Sequence, residues 1–589
     1  MGPHSRSARL PYQPPSFLSP AVTSGALLAG ALLCFAALNS IDPAWAGPAS
    51  GPGGGARIAA LDQDTVGGDG ASDVPWSAVV RDIQRELRDL GLYEGPLDGK
   101  YDGRVKNAIR RFEQRYGEIG EGAPLDSALR RIVSVRDALH LRRNLDEIRD
   151  HQTEQARRAL LDSPATRDLI DGGQTARKGA AASPGAACAG VVSVDCLLAE
   201  ARVAAAHVDK ASFQDWALRE IILTEVRTGR DDAVRDRLRH LSDPRLVLVA
   251  MREVAEALAE EGRTAEALDL AETVPDAENR IRALASIAVS AAKLGETDRA
   301  HTLSERVISL LGKEDALPAR VAIATTLASG LAQAGDMAGA TYVIHAAREF
   351  ASPATARLIR HAEVGMITGA LADSGEYGAA VDALTALADD SASAMIASSA
   401  SAVARAAFAE GDRYRVTTLC NLAVVQAKAG KPKAAAETLV KATAVTARLR
   451  KGYPQAYARF SLALAWSRTG AFDKAEAVLA DLEHGALQAE GYWRVAEIAG
   501  EAGDGKRADA FEQRALEIAG GIESRFDRAM MLGDMAVAAA RARRAPAARR
   551  IFDEALSAGR GLDEGWWRAR ALAKLATALY AVTDAEARR

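Results

Sequence analysis

Residues 281–300 read IRALASIAVSAAKLGETDRA. Ile281, Leu284, Ile287, Ala288, Ala291 and Leu294 recur at helical spacing and form a single apolar stripe. Gly295 then stops the helix, because glycine enters the left-handed conformation of a helix end without a Cβ clash. Five residues on, Ala300 begins the buried face of a second helix, and its small side chain lets that helix pack close. Helix, glycine stop and returning helix make a hairpin that cannot bury its apolar faces alone.

The same punctuation recurs along the chain, at Gly262/Ala267, Gly335/Ala340, Gly375/Ala380, Gly430/Ala435, Gly470/Ala475 and Gly503/Ala508. Degenerate turns at Gly229 and at Arg543/Ala548 extend it both ways. Successive glycines from Gly262 are 33, 40, 40, 55, 40 and 33 residues apart. A period of this size with paired helices predicts an α-solenoid over residues 197–582, of roughly nine pairs. The 55-residue interval predicts an extra helix near 391–411 or a break in superhelical pitch. Composition agrees. Aromatic residues are 5% of the chain and Ala dominates long stretches, which suits close-packed helices better than a β-sandwich.

These turns resemble those of tetratricopeptide repeats. GEYGAA (375–380) and GAFDKA (470–475) place Tyr377 and Phe472 where that family has an aromatic residue, while GDMAGA (335–340) carries Met337. Most repeats exceed the family's usual length and lack its Pro late in the second helix, so the array is tetratricopeptide-like. The resemblance implies a concave surface for a protein partner, which the sequence does not identify. Arg280, Arg320, Arg360, Arg415 and Arg528 each stand 15 residues before a turn, with Gln455 and Gln488 in that place in two other repeats. One such position per repeat predicts a ladder along one edge. It either offers donors to a partner's carboxylates or pairs within the array to set repeat geometry.

Upstream lies a smaller unit, residues 75–135. Val79, Val80, Ile83, Leu87 and Leu90 mark one helix, Val105, Ala108, Ile109 and Phe112 a second, and Leu125, Leu129, Ile132 and Val133 a third. Gln84, Leu87, Leu90, Gly91, Tyr93, Gly95, Asp98, Gly99, Tyr101, Ala108, Ile109 and Phe112 resemble the pattern of the peptidoglycan-binding domain of wall hydrolases. Asp102, Val105 and Glu113 depart from it. The resemblance implies a wall glycopeptide ligand. Tyr93, Tyr101, Arg104, Asn107 and Arg111 are the candidate contacts, aromatic faces suiting sugars and Arg or Asn donors suiting carboxylates. Tyr93, Asp98 and Tyr101 could instead simply build the turns and core.

The remaining segments punctuate these two. Arg6 and Arg9, an uncharged run from Ala21 to Leu38 and the site Ala44-Trp45-Ala46 read as a secretory leader over residues 1–46. An uncleaved leader would instead anchor the chain in a membrane. Residues 47–74 are a Gly-rich linker, 136–170 a charge-laced helical spacer, and 171–196 a second linker. Cys188 and Cys196 flank seven residues, a spacing that can close a disulfide worth about 2.5 kcal/mol in an oxidising compartment. Cys420 lies in an apolar helical stretch and reads as a buried, inert thiol.

Chemistry is sparse. Lys+Arg 74 against Asp+Glu 78 gives a net charge of −4, which argues against a dedicated nucleic-acid binder. No two of the nine His stand at i,i+3 or i,i+4, and no phosphate loop or nucleophile elbow occurs, so no metal site, cofactor or catalytic group is expected. Glu523-Ser524-Arg525-Phe526 resembles the segment around the acid of lytic transglycosylases, but that family's downstream segments are absent. The expectation is a non-catalytic periplasmic scaffold of the cell envelope. An accessory wall hydrolase and a membrane-anchored assembly factor are the alternatives.

Overall fold

A computed structural model describes residues 76–116, 125–171, 192–314, 319–351, 402–449, 451–563 and 565–588, with scattered positions between 359 and 385. The leader, the linker 47–74, Cys188 and the Gly375 turn lie outside the described residues. Everything regular among the described residues is helical, with no strand.

The chain divides into two compact units near residue 155. In the first, α1 (Trp76–Asp89) and α2 (Gly103–Tyr116) enclose a core with the start of α3 (Leu125–Asp162). Val80, Ile83, Leu87, Val105, Phe112 and Ile132 are wholly buried there. Helix α3 runs 38 residues without a break, so the third helix of the small unit and most of the charged spacer are one element. Glu86 and Arg136 form an ion pair between α1 and α3.

The second unit takes in Ala156 and Leu160 at the end of α3, then α4 (Arg167–Asp171). Its helices alternate between two layers. The first layer holds α6 (Ala211–Arg227), α8 (Pro244–Glu260), α10 (Ala277–Lys293) and α12 (Arg320–Gln333). Each is followed by a second-layer partner: α7 (Val234–Leu238), α9 (Thr264–Thr273), α11 (Thr297–Lys313) and α13 (Met337–Glu349). Beyond the partly described stretch come α14 (Ala402–Lys428), α15 (Pro432–Arg448), α16 (Tyr453–Arg468), α17 (Phe472–Ala480), α18 (Gly485–Glu501), α19 (Gly505–Gly520), α20 (Arg525–Arg541) and α21 (Ala545–Arg560), alternating in the same way. The described part of the extra helix expected near 391–411 is the first third of α14. This is an all-α solenoid of helix pairs.

The turn physics holds where it was read. Gly262, Gly295, Gly335, Gly430, Gly470 and Gly503 all have positive φ, and Arg543 takes the same conformation at φ 58°. At Gly295 the closing bonds run from Glu296 N to Ala291 O (2.9 Å) and from Gly295 N to Ala292 O (3.0 Å). Ala300 is then completely buried.

The order of pairing departs from the order of the chain. The first array helix, α5 (Val194–Ala206), does not take α6 as its main partner. It pairs with the last helix, α22 (Gly565–Ala587), which also packs on α6, α20 and α21. A Cβ on Gly565 would stand 2.8 Å from Ala204 O, so the start of α22 meets the end of α5 and the pair is antiparallel like the others. Thr224 Oγ1 donates to Ala573 O (3.3 Å), and Arg560 donates to Glu200 (2.9 Å), across the same seam. On the opposite side, Glu363 pairs with Arg348, while Ala380, Val381 and Leu384 pack on Leu422 and Val425 of α14.

Successive first-layer helices pack on one another along each run and across the α22–α6 seam. In the second layer such close packing between neighbours occurs at α11 and α13 alone among the described residues.

Candidate functional site

Gln84 organises the small unit. Fully buried on α1, it donates from Nε2 to Asp98 Oδ1 (2.9 Å), Tyr93 Oη (3.2 Å) and Lys100 O (3.2 Å), and its Oε1 accepts from Gly99 N (2.9 Å). Gly99 has φ +73°, and a Cβ there would sit 2.3 Å from Ser77 O, so the turn requires glycine. The hydrogen bond from Gln84 holds the Asp98 carboxyl below its ordinary range.

Tyr93 is 2% exposed, and its hydroxyl donates to Pro96 O (2.9 Å). Burial pushes its phenol up. It braces the turn from within. The other four candidates surround α2. Tyr101 is half-buried, with Lys106 Nζ 5.5 Å from its ring centre. Asp102 caps the helix by accepting from Arg104 N (2.9 Å) and Val105 N (3.1 Å), and it also pairs with the exposed Arg104 side chain at 2.8 Å. Arg111 donates to Leu92 O (2.8 Å), and Asn107 accepts from Arg110 (3.1 Å). Lys106, Arg110 and Arg115 are exposed on the same helix: Lys106 and Arg110 stand one turn apart on the flank beside Tyr101, and Arg115 lies on the other flank with Arg104 and Arg111. That arrangement suits carboxylates and sugar hydroxyls. Reading by family pattern passed over these three; the i,i+4 spacing of Lys106 and Arg110 was the available signal.

The array candidates lie at the junctions between pairs. Arg280 donates to Val274 O (2.9 Å) and Arg528 Nε to Ile522 O (3.0 Å). Gln455 reaches the equivalent carbonyl, Leu449 O (3.2 Å), and also Thr446 O (3.3 Å) nine residues back, and Gln488 reaches the carbonyl nine residues back, Leu479 O (2.9 Å). Each satisfies a carbonyl at the end of one second-layer helix as the next pair begins. Arg320 lies over the Phe350 ring at 5.2 Å; Arg360 is exposed, and Arg415 is half-buried on α14.

Cys196 is disulfide-bonded, and Cys188 lies outside the described residues. Cys420 is buried and free, and burial pushes its thiol up to about 12. Glu523 is exposed in the turn before α20, where Ser524 caps that helix by accepting from Asp527 N (3.2 Å). No described helix is long and apolar enough to cross a membrane.

Residues 77–117 match the family described as "Putative peptidoglycan binding domain", a match that supports cell-wall binding by this unit. No curated protein matches the chain. Among solved structures, the crystal structure of Ton1535 from Thermococcus onnurineus NA1 is similar at 17% identity. The match covers 61% of this chain and 98% of that one, with a TM-score of 0.24.

Proposed function

We propose that this protein is a non-catalytic, exported scaffold of the bacterial cell envelope, working in the periplasm. Its N-terminal unit grips peptidoglycan and its array holds a protein partner. The match over residues 77–117 together with the exposed cations of α2 carries the wall-binding half. The leader pattern and the disulfide at Cys196 support export. The glycine-punctuated turns support a tetratricopeptide-like reading of the pairs, and through it the protein partner. Co-sedimentation of the full chain with purified wall sacculi tests the wall-binding half. Lys106→Glu/Arg110→Glu should abolish retention while leaving helicity unchanged, since both side chains are exposed. Undiminished retention of that variant would defeat it.

A further inference from the structure

The seam gathers three of the chain's seven tryptophans, Trp216, Trp566 and Trp567, onto neighbouring first-layer helices. Trp566 stacks on Phe213 at 5.0 Å, and Trp567 meets Phe526 edge-on at 4.4 Å. All five rings keep part of their surface in solvent. Two guanidinium groups lie over this aromatic floor. Arg219 is 4.7 Å from the Trp216 ring centre, and Arg570 is 5.1 Å from that of Trp566.

Two carboxylates face them. Arg219 reaches Glu220 at 3.3 Å and Glu253 at 3.2 Å, while Arg570 reaches Glu220 at 3.9 Å. Arg252 also reaches Glu253 (3.4 Å) and Glu256 (3.4 Å), so three guanidinium groups stand against three carboxylates, balanced in formal charge but not in hydrogen bonds. Nε of Arg219, Nε of Arg570 and Oε2 of Glu253 are buried without a hydrogen-bond partner among the described residues. Orphaned polar atoms of this kind cost stability unless something satisfies them. An anionic ligand would meet Glu220 and Glu253, and a cationic one would meet both arginines. A neutral ligand with an apolar face for the rings and hydroxyls that both donate and accept meets neither penalty.

We propose that the seam between α22, α6 and α8 is a second glycan-binding site, taking an N-acetylhexosamine oligomer against Trp566 and Trp216 between the Arg219/Arg570 donors and the Glu253 acceptor. The chemistry stands on the seam alone; that the sugar is the wall's own glycan strand rests on the wall-binding reading.

The experiment titrates the full chain with chitotetraose, and in a parallel arm with glycan fragments released from sacculi, reading tryptophan fluorescence. A saturable change is expected in both arms. Arg570→Lys and Glu253→Gln should each weaken it about tenfold, with unchanged circular dichroism. Lys106→Glu/Arg110→Glu should leave it intact while losing sacculus retention, so failure of one site is distinguishable from failure of the other. No saturable change up to about 10 mM sugar, equal binding by the seam variants, or equal competition by oligoglutamate or oligolysine would overturn the proposal.

Discussion

Two helix pairs, α10/α11 and α22/α5, are packed alike and built differently. The first is made by neighbouring residues and closed at a glycine turn, with Glu296 N bonding Ala291 O. The second is made by the two ends of the array, with Glu200 of α5 also reached by Arg560 of α21, the helix before α22, across 360 residues of sequence. Both bury a continuous apolar stripe: Ile281, Leu284 and Ile287 in one, Leu572, Leu575 and Leu579 in the other. The stacked unit is therefore the pair itself, whichever way the chain connects it. Complementary apolar faces suffice, and the turn only makes one encounter more probable than others.

The largest expected effect follows from removing one member of the non-local pair. A chain ending at Leu562 lacks α22 and exposes the buried faces of α5, α6 and α20 together. Its thermal transition, followed by circular dichroism, should lose cooperativity and split or broaden. An unchanged single transition would mean the seam contributes nothing.

A point change sharpens the same comparison. Leu572 and Leu284 are both wholly buried. Leu572→Ala and Leu284→Ala should each cost about 2–5 kcal/mol in urea unfolding, with similar values. A much smaller cost at Leu572 would show that the chain ends pack loosely.

Turn substitutions come next. Gly295→Ala puts a Cβ on a residue at φ +79° and should cost about 1–2 kcal/mol. Arg543→Gly relieves the same strain at φ 58° and should stabilise by about 1 kcal/mol or less, since glycine also loosens the unfolded chain. An effect of similar size, visible only at high pH, concerns Glu256 on α8, beside the seam. Burial pushes its carboxyl up to about 7, with Arg252 at 3.4 Å offsetting part of the shift. The fold therefore keeps a proton that the unfolded chain releases above its ordinary carboxylate range. Stability from this group is complete at low pH and falls as pH rises towards about 7. Glu256→Gln should gain about 1 kcal/mol over wild type at pH 8 and nothing at pH 4, a modest figure because the side chain is still 27% exposed. Melting temperatures at the two pH values check it.

The local pair was legible because its cues are local. Gly295, Ala300 and the stripe from Ile281 lie within 20 residues, and the structure gives each the expected place except Leu294, which caps the helix end and is 50% exposed. The α22/α5 pair was not legible. Leu572 and Leu197 carry the same apolar spacing as any other pair, and nothing in that spacing says which stripe meets which. The small unit divides in the same way. The family pattern marked its turns, but Tyr93 was read as a candidate contact although a buried Gln84 holds it from behind. Side-chain direction in a non-repeating turn depends on hydrogen bonds across 9 to 16 residues, which spacing does not encode. The ladder was visible as a period of Arg and Gln. Its bonds to backbone carbonyls were not, because a carbonyl acceptor leaves no mark in the sequence.

Pairing the first array helix with the last also sets a timetable. A chain that leaves the ribosome or crosses a membrane from its N-terminus presents α5 long before α22 exists. Until the final two dozen residues arrive, the apolar side of α5 has no lasting cover and invites aggregation or chaperone capture. Closing a loop of some 360 residues costs roughly 5 kcal/mol of chain entropy, a sum that grows only slowly with length. Delay, more than free energy, is what this topology imposes on the maturing protein.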